Sequence, residues 1–121
     1  MPPAERYSTY STGPVLVVVF QPNRMLDTAM VEEMAGSLKG LIAHAEEDAF
    51  VFDLSGIRSL SSGALGMLLG IQRDLARVGG ELKLAGLSEE NREVFRITKL
   101  DAVFDAYPDA DAAVEAFQTR E

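Results

Sequence analysis

Two adjacent serines, Ser61 and Ser62, are the residues of this chain whose placement could carry chemistry. They follow an apolar stretch at residues 50–54 and a short loop, and they open the run Gly63-Ala64-Leu65-Gly66-Met67-Leu68-Leu69. That order predicts a buried strand, a loop, and a helix beginning at the serines. A hydroxyl at a helix start can cap free backbone N–H groups. It also stands where those groups and the helix dipole favour negative charge. No histidine, cysteine or lysine lies nearby in the sequence to turn either serine into a nucleophile. The chemistry this predicts is modification by another protein's active site, as in a switch and not an enzyme.

The other polar candidates carry less. Asp53 ends the predicted strand, a position where acids often do chemistry in α/β domains. A phospho-aspartate site would also need an acidic pair after the first strand, and Val19-Phe20-Gln21 offers none. Asp53 therefore reads as a loop-capping acceptor or a charge facing a partner. Ser55 and Ser59 read as turn and loop residues. His44, the single histidine, falls in the last turn of a predicted helix, where a cation suits the dipole, and has no second ligand nearby. Gly79-Gly80 reads as a turn, because no phosphate-loop or dinucleotide pattern surrounds it. The acidic groups at residues 46–48 and 109–111 read as solvated ends, and Met67 as a possible adaptable contact.

The elements that must position the serines follow from hydrophobic periodicity. Residues 1–13 are polar, rich in Ser, Thr and Tyr, and read as an arm or an edge strand; residues 14–121 read as one folded domain. Val15–Phe20 is a continuous β-branched run, the signature of a strand covered on both faces. Met25-Leu26 suggests a short second strand. Asp27 or Thr28 would cap a helix over residues 29–45, with Met30, Val31, Met34, Leu38, Leu41 and Ile42 on one stripe. A strand at 50–54 and a loop through Ser61 lead to a helix over 62–78, stopped by Gly79-Gly80. Gly66 and Gly70 would each weaken that helix by up to about 1 kcal/mol, which predicts a close approach of another backbone there. Then come a strand at Glu81–Ala85, a Ser88-capped helix over 89–98, a segment with Leu100, Val103 and Phe104 leading to a short strand, and a last amphipathic helix after Pro108-Asp109. The class is α/β, without linker or repeat.

Composition narrows the function. With no cysteine, disulfides and thiolate metal sites are excluded, as suits a reducing cytoplasm. A net charge of −8 argues against nucleic acid or an anionic membrane as the main partner and favours a basic patch on another protein. The longest apolar run, Val15–Phe20, is far too short to span a bilayer, and residues 1–6 lack signal-peptide form. These features predict a cytoplasmic protein with no cofactor and no metal.

Residues 50–107 resemble the STAS family, the fold of bacterial anti-sigma-factor antagonists. The family pattern is an apolar strand, Asp-Ser-Ser/Thr-Gly-Leu-Gly opening a helix, Gly-Gly before the next strand, a Ser-capped helix, and Leu-Asp-x-Val/Ile-Phe. Here these stand as Ser61-Ser62-Gly63-Ala64-Leu65-Gly66, Gly79-Gly80, Ser88 and Leu100-Asp101-Ala102-Val103-Phe104. The resemblance implies a single STAS-type domain, a mixed sheet of four to five strands with about four helices. Matched without gaps, Ser62 falls on the serine phosphorylated by the family's kinases, with Ser61 as the alternative acceptor. Ser61 stands where the family has Asp, Gly63 where it has the second Ser or Thr, and Ala64 where it has Gly. The resemblance further implies an anti-sigma serine kinase and a serine phosphatase as partners, and a contact face of Ser61, Ser62 and Gly63 extended by Asn23 and Arg24. The residues alone leave a second reading open, in which Ser62 is only a helix cap on a constitutive scaffold or transporter accessory subunit.

Overall fold

The computed structural model describes residues 6–119. Tyr7–Thr12 (β1) and Val15–Phe20 (β2) form an antiparallel hairpin with Tyr7 opposite Phe20, turned by Gly13 in the left-handed region at φ 57°. The chain continues through Asn23–Leu26 (β3), Thr28–His44 (α1), Ala49–Asp53 (β4), Ile57–Leu60 (β5), Ser62–Arg77 (α2) and Glu81–Ala85 (β6). It closes with Glu89–Ile97 (α3), a 3₁₀ turn at Leu100–Ala102, Asp105–Tyr107 (β7) and Ala110–Gln118 (α4). The main sheet is mixed and five-stranded, in the order β1-β2-β4-β6-β7, with every pair after the hairpin parallel.

The continuous apolar strands are explained by cover on both faces, since alternate side chains point opposite ways. Leu16, Val18, Phe20, Phe50, Phe52, Leu82 and Leu84 pack with residues of α1, α2 and α3, among them Met34, Leu38, Leu68, Ile71 and Phe95. Val15, Val17 and Val51 face α4 through Ala113, Val114 and Phe117. Phe20 and Phe52 meet edge to face, ring centroids 5.4 Å apart, at the centre of the larger core.

Helix ends follow local chemistry. Asp27 caps α1, its Oδ1 accepting from the Met30 N–H at 2.9 Å, so the helix starts at Thr28, one residue before the expected position. At the end of α2 the Gly80 N–H bonds to the Leu75 carbonyl at 2.8 Å and Gly79 adopts φ 80°, a Schellman stop. His44 Nδ1 lies 2.9 Å from the Gly40 carbonyl in the last turn of α1. Asp109 caps α4 through the Ala112 N–H at 2.8 Å, and Asp109 and Asp111 are both exposed, so this acidic group is a solvated helix start.

Three expectations are corrected. The predicted loop through Ser61 contains β5, and β3 extends back from Met25-Leu26 to Asn23. Both strands are short and the first half of β3 is polar, so their pairing, non-local in sequence, leaves no apolar alternation to read. Beyond the backbone of α2 itself, no described atom lies within 4 Å of a Cβ built at Gly66 or Gly70, so these glycines do not serve close contact with another backbone within the fold. Met67 is buried in the core and is not a contact surface.

Candidate functional site

The site grows out of the second sheet. β3 and β5 pair in parallel, with Asn23 opposite Ile57, Met25 opposite Ser59 and Leu26 opposite Leu60. Buried Leu26 and Ile57 fix this ribbon to the main core, and α1 and α2 both start at its far end. The Ser61 N–H donates to the Leu26 carbonyl at 3.1 Å, so strand-like bonding runs up to the first turn of α2.

The outer edge of β5 has no third strand, and α3 supplies the missing partners. Asn91, 2% exposed, accepts from the Leu60 N–H through Oδ1 at 3.1 Å and donates through Nδ2 to the Ile57 carbonyl at 3.4 Å. Ser88 Oγ donates to the Arg58 carbonyl at 2.7 Å and also caps α3 by accepting from the Asn91 N–H at 3.0 Å. These bonds satisfy backbone groups on an edge of β5 that no strand covers.

At the start of α2 the two serines divide the work. Ser61 is the N-cap: its backbone is extended at φ −74° and ψ 168°, and its Oγ accepts from the Ala64 N–H at 3.1 Å. Ser62 is the first helical residue and is exposed, and its hydroxyl makes no hydrogen bond with a described residue. The reading of Ser62 as the cap is therefore corrected. The bond from Ser61 to Leu26 holds Ser61 extended, and helical geometry starts only one residue later.

The surroundings of Ser62 are rich in donors. The Ser62 and Gly63 N–H groups have no acceptor within the helix, and no acid stands in the first turn of α2. The start of α1 lies alongside, with Asp27 as cap, the Thr28 and Ala29 N–H groups in the same condition, and again no acid in the first turn. Two helix N-termini thus meet at one place, that of α1 carrying the Asp27 carboxylate and that of α2 a neutral cap. Gly63 faces α1 closely, since a Cβ there would stand 2.6 Å from Thr28 Oγ1. Ala64 is fully buried.

Ser61, Ser62 and Gly63 form one surface with Asp27 and Thr28. Asn23 and Arg24 are exposed but sit at the other end of the ribbon; Asn23 opposes Ile57, about 16 Å along the strand from Ser62 at the usual rise. Asp53 Oδ1 accepts from the Ser55 N–H at 3.0 Å, a local turn contact. Among the described residues, no group of three or more His, Asp or Glu side chains could hold a metal ion, and no helix is long and apolar enough to cross a membrane.

Sequence reasoning missed two contributors. Asn91 was detectable as a polar residue on the apolar stripe that carries Phe95. Thr28 was detectable because Leu26-Asp27-Thr28 repeats the order of Leu60-Ser61-Ser62: an apolar strand end, a capping residue, then a hydroxyl.

Comparison with known proteins agrees with this architecture. A model of the STAS domain matches residues 8–113. A Bordetella bronchiseptica protein described as a candidate anti-sigma factor antagonist, BtrV, is 30% identical over 95 residues, 78% of this chain and 81% of its own. The unphosphorylated anti-sigma factor antagonist SpoIIAA superposes with a TM-score of 0.78 at 19% identity, covering 95% of this chain and 98% of that one. SpoIIAA of Bacillus in its phosphorylated form gives 0.70 at 20% identity, covering 92% and 98%. With the family model spanning both helix starts and the sheet beneath them, the chain belongs to the STAS domain family, in its anti-sigma-factor-antagonist group.

Proposed function

We propose that this protein is a partner switch controlled at Ser62. Unmodified, it binds a serine kinase that doubles as an anti-sigma factor, which frees the sigma factor. The kinase transfers the γ-phosphoryl group of ATP to Ser62 Oγ: the bond to the ADP oxygen breaks, the serine O–P bond forms, and the hydroxyl proton passes to a base of the kinase. The modified protein leaves, and a serine phosphatase restores it by hydrolysis. The chain itself catalyses nothing.

The observation that carries this reading is the division between the two serines. Ser61 holds the helix, and Ser62 is exposed with a free hydroxyl. Modification of Ser62 therefore disturbs no contact that the fold needs. Phosphorylation adds about −1.5 to −2 charges, and the unpaired N–H groups and helix dipole at that end tolerate them. A docked partner would face a new dianion, so affinity changes while the fold persists. A relative named as an anti-sigma factor antagonist and a structural neighbour known in phosphorylated and unphosphorylated forms support the same reading.

The test is binding of the anti-sigma kinase to wild type, Ser62→Ala and Ser62→Asp, with melting curves for each. Retention by wild type and Ser62→Ala, loss by Ser62→Asp and unchanged melting are expected. Equal retention of a non-kinase partner by all three would make the protein a constitutive scaffold.

A further inference from the structure

The register of the ribbon brings two hydroxyl residues to the same end of it. Leu26 opposes Leu60, so Asp27-Thr28 and Ser61-Ser62 leave adjacent strands in step, each a cap followed by an exposed hydroxyl at the first helical position. The Thr28 hydroxyl, like that of Ser62, makes no hydrogen bond with a described residue. Thr28 also fills the space above Gly63: a Cβ built on that glycine would lie 2.6 Å from Thr28 Oγ1 and 3.2 Å from both its Cβ and Cγ2. A side chain at position 63 and the present Thr28 side chain cannot both occupy that volume.

We propose that Thr28 is a specificity-determining residue of the Ser62 site, its hydroxyl standing in for the side chain that Gly63 lacks. Positions 28 and 63 then act as a coupled pair that decides which serine kinase can use Ser62. This inference rests on the switch reading. The chemistry is that of a second short hydroxyl beside the acceptor, presented by a neighbouring helix and free to donate to a kinase carboxylate or to the phosphoryl oxygens arriving at Ser62. Because Thr28 and Ser62 are 34 positions apart in sequence, only the ribbon register joins them.

The experiment follows phosphate on Ser62 by mass spectrometry in an extract of the encoding organism supplied with ATP, for wild type, Thr28→Ala, Thr28→Ser, Gly63→Ser and the Thr28→Ala/Gly63→Ser pair. Each variant's melting temperature is measured alongside. Thr28→Ala is expected to melt within about 2 °C of wild type, as for an exposed residue. Its phosphate incorporation should fall about tenfold, the loss of one charge-assisted hydrogen bond, and Thr28→Ser should restore it. Gly63→Ser alone should melt about 5 °C lower because the new side chain collides with Thr28. The pair should regain both stability and phosphate. Wild-type rates for Thr28→Ala, or a pair no better than Gly63→Ser in both readouts, would overturn the coupling and leave the switch intact. Absence of phosphate on wild-type Ser62 would overturn the switch reading and this inference with it.

Discussion

The two sheets of this protein are built differently and do different things. The five-stranded sheet has three central strands, β2, β4 and β6, that are largely apolar and buried between helices. The two-stranded ribbon of β3 and β5 is short, half polar and held at its outer edge by side chains of α3. Stability resides in the first and the site in the second. On the proposed switch, the surface to be recognised and modified is thereby separated from the packing that keeps the domain folded. The ribbon's own loss should be felt at the starts of α1 and α2 before it is felt anywhere else.

Substitutions in the two sheets should therefore part company. Phe52→Ala, in the centre of the main sheet, is expected to cost about 3–5 kcal/mol, lowering the urea midpoint for every probe at once. Asn91→Ala removes the partners of Leu60 and Ile57 from a buried edge and is expected to cost about 2 kcal/mol. Its distinguishing mark is local: amide exchange should accelerate in β5 and the first turn of α2 more than in β2 or β4. A uniform acceleration would mean that the ribbon and the main sheet open as one unit.

Within the site, Ser61→Ala should cost about 1 kcal/mol through the lost cap, while Ser62→Ala should stay within about 0.5 kcal/mol of wild type. Reversal of that order in thermal melts would return the capping role to Ser62. A small effect is also expected on the α4 side of the main sheet. Lys83, 5% exposed, pairs with Asp105 at 3.1 Å and lies 4.6 Å from the Phe117 ring centroid. Asp105 is 66% exposed and can rehydrate, so Lys83→Met should change stability by less than about 1.5 kcal/mol. A larger loss would show that charge, and not only packing, holds α4 in place.

How much could be read beforehand divides along the same line. Val15–Phe20 was legible because burial on both faces leaves a continuous apolar run, and Glu81–Ala85 because Leu82 and Leu84 alternate with Glu81 and Lys83 just after the glycine stop. The glycine stop after α2 and the Ser88 cap were legible because they are local backbone chemistry. β5 was not, since Ile57–Leu60 carries only two apolar residues and pairs with a strand more than 30 positions away. The cap at Ser61 was misplaced by one residue for the same reason, as the bond that keeps it extended comes from Leu26.

Sequence by itself determined the class of fold, the main strands, the helix faces and the helix start that carries the serines, because each depends on residues close together in the chain. The tertiary structure decided which serine caps and which is free, that Asn91 serves as the edge partner of β5, and that Thr28 stands over Gly63. Those facts depend on the register of one short parallel ribbon, and register is fixed by packing against the core rather than by any local pattern.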